Sequence, residues 1–161
     1  MTSPYRIITV CTGNICRSPM AELMIAAAAA ERGVDVAVDS AGTTGWEVGS
    51  PIDERAGRLL ARHGIDSSGH RARQFEQAWF AERDLILALD VDHYEALLAL
   101  APDDRAAAKV RMLRGFDPAV VGKPPAQLGI YDPWYGDMRD FEASRQLIQA
   151  AIPGILTHAR G

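Results

Sequence analysis

Only two cysteines occur in the 161 residues, Cys11 and Cys16. Two thiols cannot build a disulfide scaffold or a four-ligand zinc site, and their spacing is not that of a CxxC pair. The four histidines are scattered along the chain, so neither a metal centre nor any other cofactor is expected. No apolar run approaches the ~20 residues of a membrane span, which leaves no membrane partner. Met1 to Arg6 leads directly into a short strand, without the apolar core of a secretory signal. A cytoplasmic location is expected by default, with export lacking a signal peptide left open. Basic charge is not in surplus either: the formal net charge is −4, which argues against a nucleic-acid partner.

What is present is ordinary for a globular protein, 48% hydrophobic and 24% charged residues. A chain of this length forms a core without staples, and residues 1–161 are expected to make a single domain. Strand and helix patterns alternate, which predicts an α/β fold: three layers, a four-stranded parallel sheet with helices on both faces. Strands are expected over 5–10, 34–38, 85–89 and 110–113. Helices are expected from Ser18–Pro19 to about Arg32, closed by Gly33, and over about 53–63, 93–100 and 141–158. Ser18 reads as an N-cap with Pro19 at the first helical position, and Glu22 as an acid in the positive first turn. Pro153 is expected to kink or divide the last helix. Residues 115 to about 140 read as one long loop.

The segment Cys11-Thr12-Gly13-Asn14-Ile15-Cys16-Arg17-Ser18 carries the chemistry. It follows a buried strand and precedes a helix, at the carboxyl edge where α/β sheets bind ligands. Gly13-Asn14 tolerates the positive φ that an inward-facing nest of backbone N–H groups requires. Such a nest at a helix N-terminus binds oxyanions, and Arg17 adds a planar fork matched to phosphate. Cys11 lies at the floor of this cup, where the same field favours its thiolate. A thiolate beneath a phosphoryl group is a phosphatase nucleophile, and Arg17 is the clamp for its oxygens. Cys16, read alone, is as well explained as a small buried hydrophobe.

A cysteinyl phosphatase also needs a proton donor for the leaving group, later a base for the water that hydrolyses the phosphocysteine. Asp132, in Tyr131-Asp132-Pro133-Trp134-Tyr135-Gly136, lies on a stiffened turn among aromatic residues and is the candidate. The competing reading is that Asp-Pro merely initiates a turn. Trp46, Trp134 and Tyr135 are candidate cleft walls, each with core packing as the alternative. Gly122-Lys123 and the Asp90/Asp92 pair lack the rest of an NTP-binding loop and of a calcium loop, respectively.

On the Cys11–Pro19 loop, the Asp132–Gly136 loop, Asp39-Ser40-Ala41-Gly42 and Gly69-His70-Arg71-Ala72-Arg73, the chain resembles bacterial low-molecular-weight protein tyrosine phosphatases over nearly its full length. Trp134 stands where the family usually has tyrosine. The resemblance implies Cys11 as nucleophile, Arg17 as phosphate clamp and Asp132 as acid and then base. Ser18 would donate its hydroxyl to the thiolate. Asn14 would hold the loop's shape with Ser40 and His70 behind it, although His70 also reads as a surface histidine. It implies phosphotyrosine-containing proteins as substrates and a cognate tyrosine kinase as a possible partner; oligomeric state is open, and nothing in the sequence demands more than a monomer.

Three alternatives share the loop. Thiol-relay arsenate reductases need resolving cysteines, and none follows Cys16. Protein arginine phosphatases favour threonine where this chain has Ile15. A non-catalytic phosphopeptide-binding module would be expected to lack Cys11 or Asp132. The proximity of Cys16 to Cys11 also suggests a reversible protective disulfide.

Overall fold

The computed structural model describes residues 3–161. Four strands form one parallel sheet: β1 (Tyr5–Cys11), β2 (Val36–Gly42), β3 (Leu85–Ala88) and β4 (Val110–Met112), in the order β2-β1-β3-β4. The helices are α1 (Arg17–Arg32), α2 (Glu54–Arg62), α3 (Val91–Leu100), the short α4 (Asp104–Ala107) and α5 (Met138–Arg160). Successive strand residues point to opposite faces. Ile7 and Cys11 of β1, with Leu85 and Leu87 of β3, pack with Met20, Ile25, Leu60, Phe141, Ile148 and Ile152 on the side of α1, α2 and α5. Ile8 and Val10, with Ile86, Ala88, Val110 and Met112, pack with Phe75, Phe80 and Leu97 on the side of α3. Three layers result, as the alternating pattern predicts. Because β2 lies on one side of β1 and β3 on the other, the crossovers diverge at the carboxyl end of β1 and open a crevice there.

Several local expectations are corrected. β2 begins at Val36, because Val34 is still closing α1: its N–H donates to Ala29 O, beside Gly33 in a left-handed conformation (φ 65°). β2 then runs on past the expected end at Val38 through Ser40-Ala41-Gly42, which pairs with Thr9-Val10-Cys11. Ser18 is not the N-cap of α1. That position falls on Cys16, without a side-chain cap, and the Ser18 hydroxyl is used elsewhere. Glu22 consequently lies beyond the first turn, with its carboxylate on Ser40. α3 starts earlier than the apolar pattern indicates because Asp90 caps it, its carboxylate accepting from Val91 N at 2.7 Å. α5 likewise starts at Met138 behind a capping box of Asp137 and Asp140. Pro153 does not divide α5. It sits on the exposed side, while buried Ile148, Ala151, Ile152, Ile155 and Leu156 hold both flanking turns against the sheet. The expected long loop is a series of short 3₁₀ turns, over Leu113–Phe116, Pro118–Val120, Pro125–Gln127 and Pro133–Tyr135.

Candidate active site

The loop after β1 wraps the N-terminus of α1 and forms the floor of a cavity of about 220 Å³. Cys11, Thr12, Gly13, Ile15, Cys16, Arg17, Trp46, Glu47, Asp132, Trp134 and Tyr135 line it. Among the described residues, none of the backbone N–H groups of residues 12 to 16 donates to a protein acceptor. They are left for an oxyanion, at the positive end of α1.

Asn14 sets the loop's shape. It is fully buried and has a left-handed backbone (φ 61°), a conformation asparagine tolerates better than most residues. Its amide nitrogen donates to Ser18 Oγ (2.8 Å) and Ser40 Oγ (2.9 Å), and its Oδ1 accepts from Arg73 N (2.9 Å). Its carbonyl oxygen accepts from His70 Nε2 at 2.7 Å, so His70 is a half-buried partner of the loop rather than a free surface group. Burial, ahead of the charges of Arg73 and Arg71, lowers the pKa of His70.

These bonds also place the Ser18 hydroxyl. Ser18 Oγ accepts from Asn14, and its hydroxyl lies 2.9 Å from Cys11 Sγ and 3.3 Å from Ala41 O. Ser40 in turn gives its proton to Glu22 Oε1 at 2.6 Å. Burial raises the pKa of Glu22, the Ser40 hydrogen bond opposing it. The sulfur of Cys11 therefore faces a buried hydroxyl whose orientation is fixed from behind.

Arg17 is buried and directed by three groups. Its Nη1 donates to Ile130 O at 3.0 Å and lies 3.6 Å from Asp90 Oδ2; its Nη2 lies 3.4 Å from Asp132 Oδ2. Asp132 Oδ1 accepts from Trp134 N at 3.1 Å, capping the turn over Pro133–Tyr135, and Oδ2 remains facing the guanidinium. An anion held by Arg17 would thus lie next to the Asp132 carboxyl. Trp46, Trp134 and Tyr135 are all exposed, at 80%, 50% and 76%, which places them at the mouth of the cavity rather than in the core. Trp134 and Tyr135 meet edge to face with centroids 5.0 Å apart.

Three contributors escape sequence reasoning. Asp90 and His93 both reach the site from the start of α3. Asp90 N donates to His93 Nδ1 at 3.1 Å, which fixes the proton on Nε2, and Nε2–H therefore donates to Thr12 Oγ1 at 2.8 Å. Burial first, then the charge of Arg17, pushes the His93 pKa down to about 3, so the ring is neutral. The third is Arg73, whose backbone holds Asn14 while its guanidinium pairs with Asp39. The signal for His93 was its place three residues after a capping aspartate, Asp90-x-x-His93. Cys16 is buried and free; burial, then the charges of Asp53, Cys11 and Asp132, raises its pKa strongly. Among the described residues, no three His, Cys, Asp or Glu side chains are grouped so as to hold a metal ion. None of the helices described there is long and apolar enough to cross a membrane.

Residues 6–160 match the model of the low molecular weight phosphotyrosine protein phosphatase family. The chain belongs to that family and is an enzyme of its class. It is 48% identical over 158 residues to a low molecular weight protein-tyrosine-phosphatase of Streptomyces coelicolor, covering 97% of this chain and 94% of the relative. It is 46% identical over 157 residues to low molecular weight protein-tyrosine phosphatase A of Mycobacterium tuberculosis, covering 96% and 91%. The crystal structure of YfkJ from Bacillus subtilis superposes with a TM-score of 0.87 at 31% identity, covering 99% of this chain and 96% of that one.

Proposed function

We propose that the chain hydrolyses phosphotyrosine in proteins through a phosphocysteine on Cys11. The observation that carries this is the convergence of a thiol, a buried guanidinium and a carboxyl on one small cavity with an aromatic mouth. The cysteine sulfur attacks phosphorus while Arg17 and the free N–H groups of the loop gather the equatorial oxygens. Their hold strengthens as the phosphoryl group flattens in the transition state. Asp132 gives its proton to the departing phenolic oxygen, which keeps the electron pair of the broken P–O bond. The resulting carboxylate then takes a proton from the water that displaces the Cys11 sulfur from phosphorus, and phosphate leaves. Ser18 donates to the sulfur as it departs, which eases both ionisation and release. All the groups this sequence needs are side chains and backbone of the chain itself.

The aromatic mouth supports a tyrosine-borne phosphate. A flat ring reaches the floor between Trp46, Trp134 and Tyr135, whereas the shorter arm of phosphoserine leaves phosphorus short of Cys11. Apolar Ile15 in the cavity lining offers no hydroxyl to a guanidinium, which favours phosphotyrosine over phosphoarginine. The same reading makes a phosphotyrosine protein the partner, with a cognate tyrosine kinase upstream, and the enzyme a cytoplasmic monomer.

Cys16 adds a redox reading. Peroxide oxidises the Cys11 thiolate to a sulfenic acid, and the Cys16 thiol displaces water from it to form a disulfide short of irreversible oxidation. Cys11→Ser is expected to abolish turnover while inorganic phosphate still binds; sustained turnover by that variant contradicts the mechanism. Asp132→Ala is expected to trap phosphotyrosine proteins from a lysate, identified by phosphosite mass spectrometry. Recovery of phosphoserine or phosphoarginine proteins instead would overturn the substrate assignment.

A further inference from the structure

The carboxyl that serves as acid lies on a loop that is fastened mainly on its upstream side. Ile130 is buried, donates to Leu89 O at 2.9 Å and accepts from Arg17; Tyr131 O accepts from Ser144 Oγ at 3.1 Å. Downstream of Asp132, Pro133 is buried, but the aromatic side chains of Trp134 and Tyr135 are exposed and provide little anchorage beyond it. One side chain from another element supplies it. Arg55, in the first turn of α2, donates from Nη1 to Gly136 O (2.8 Å) and from Nη2 to Trp134 O (3.2 Å).

The same guanidinium is itself fixed. Its Nε donates to Asp53 Oδ1 at 3.2 Å and Nη2 to Asp53 Oδ2 at 3.1 Å, a side-on bidentate pair. Its carbon lies 4.6 Å above the Phe141 ring, at the start of α5. Asp53, the N-cap of α2, donates its own N–H to Ile15 O at 2.8 Å. A continuous path therefore runs from Ile15 in the nucleophile loop, through Asp53 and Arg55, to the carbonyls on either side of Tyr135. Arg55 is not among the residues lining the cavity.

We propose that Arg55 is a positioning residue that locks the acid loop in register with the nucleophile loop, so that the Asp132 carboxyl meets the leaving-group oxygen. This rests on Asp132 being the proton donor. A planar fork is required, because one face must hold a carboxylate while the remaining N–H groups reach two carbonyls. Lysine keeps the charge beside Asp53 but cannot make the bridge.

The test is the ratio of kcat/KM for p-nitrophenyl phosphate to that for phenyl phosphate. The first leaving group departs readily unprotonated; the second needs the acid. Arg55→Met is expected to lower kcat/KM for phenyl phosphate by about 10- to 100-fold, and for p-nitrophenyl phosphate by less than about threefold. Inhibition by inorganic phosphate, which reports the nucleophile loop, should change less than about twofold. Arg55→Lys should show the same split more weakly, and it carries the test if the methionine variant does not fold. In an Asp132→Ala background, either Arg55 change should leave the substrate ratio where it is. Equal losses on the two substrates, a parallel loss of phosphate inhibition, or a split that persists without Asp132 would each overturn the proposal. Asp132→Ala alone separates the two claims. If it shows no leaving-group selectivity, the acid assignment falls; if it does and Arg55→Met does not, only the positioning role falls.

Discussion

Replacing Asn14 probes how the Cys11–Ser18 loop keeps its shape. Asn14→Ala removes the three side-chain hydrogen bonds to Ser18, Ser40 and Arg73 N, at 2.8, 2.9 and 2.9 Å. Each contributes about 1 kcal/mol net, because the partners stay buried and lose their donor or acceptor. Alanine must also hold φ near 61°, which costs about 1 kcal/mol more. The total is about 4 kcal/mol, a large part of the roughly 5–15 kcal/mol typical of a domain. Asn14→Gly loses the same bonds without the left-handed penalty, so it should be about 1 kcal/mol milder. With a urea slope of about 2 kcal/mol/M, the alanine variant's unfolding midpoint should fall by about 2 M. The glycine variant should fall by about 1.5 M at an unchanged slope. Midpoints within about 0.5 M of the parent in both variants, or alanine no worse than glycine, would refute this account of the loop.

Acid should destabilise the protein through His93. Its folded pKa is about 3, below the ~6.5 of an unfolded histidine, so the unfolded chain binds a proton that the folded one does not. Stability is therefore full above about pH 6.5 and falls toward about pH 3, by at most about 1.4 kcal/mol per pH unit from this group. His70, also lowered, adds to the first part of that slope. His93→Gln should flatten the acid limb measured by urea unfolding between pH 6 and pH 4; an unchanged limb contradicts the assignment. Mild peroxide should yield a Cys11–Cys16 disulfide by mass spectrometry, and Cys16→Ala should instead accumulate sulfinic acid at Cys11. Absence of the disulfide, with Cys11 overoxidised in the parent protein, would remove the redox reading.

The sequence exposed the groups that share a short segment and missed those that meet only in space. Cys11, Asn14, Arg17 and Ser18 lie within eight residues, where spacing alone implies a nest. Asp132 was legible because its neighbours form a recognisable turn. Asp90 and His93 were not, because they reach Thr12 and Arg17 only through the pairing of β1 with β3. Arg55 was equally invisible: its partners are backbone carbonyls of Trp134 and Gly136, and carbonyls leave no trace in residue identity. The layers followed from apolar alternation, whereas strand and helix ends did not. Ser40-Ala41-Gly42 carries no apolar alternation to extend the strand beyond Val38, yet it is buried strand paired with Thr9-Val10-Cys11. Ser18 is a typical capping residue by type, but Cys11 claims its hydroxyl.

The proposed mechanism requires a covalent phosphoryl group on one sulfur. Enzyme mixed with ³²P-labelled phosphotyrosine peptide, quenched within milliseconds in acid and digested, should carry label on the peptide spanning Cys11 to Arg17. That label should be released by iodine, as a phosphorothiolate ester is, and should be absent from Cys11→Ser. Turnover without any trapped label, or label on a different peptide, would contradict it.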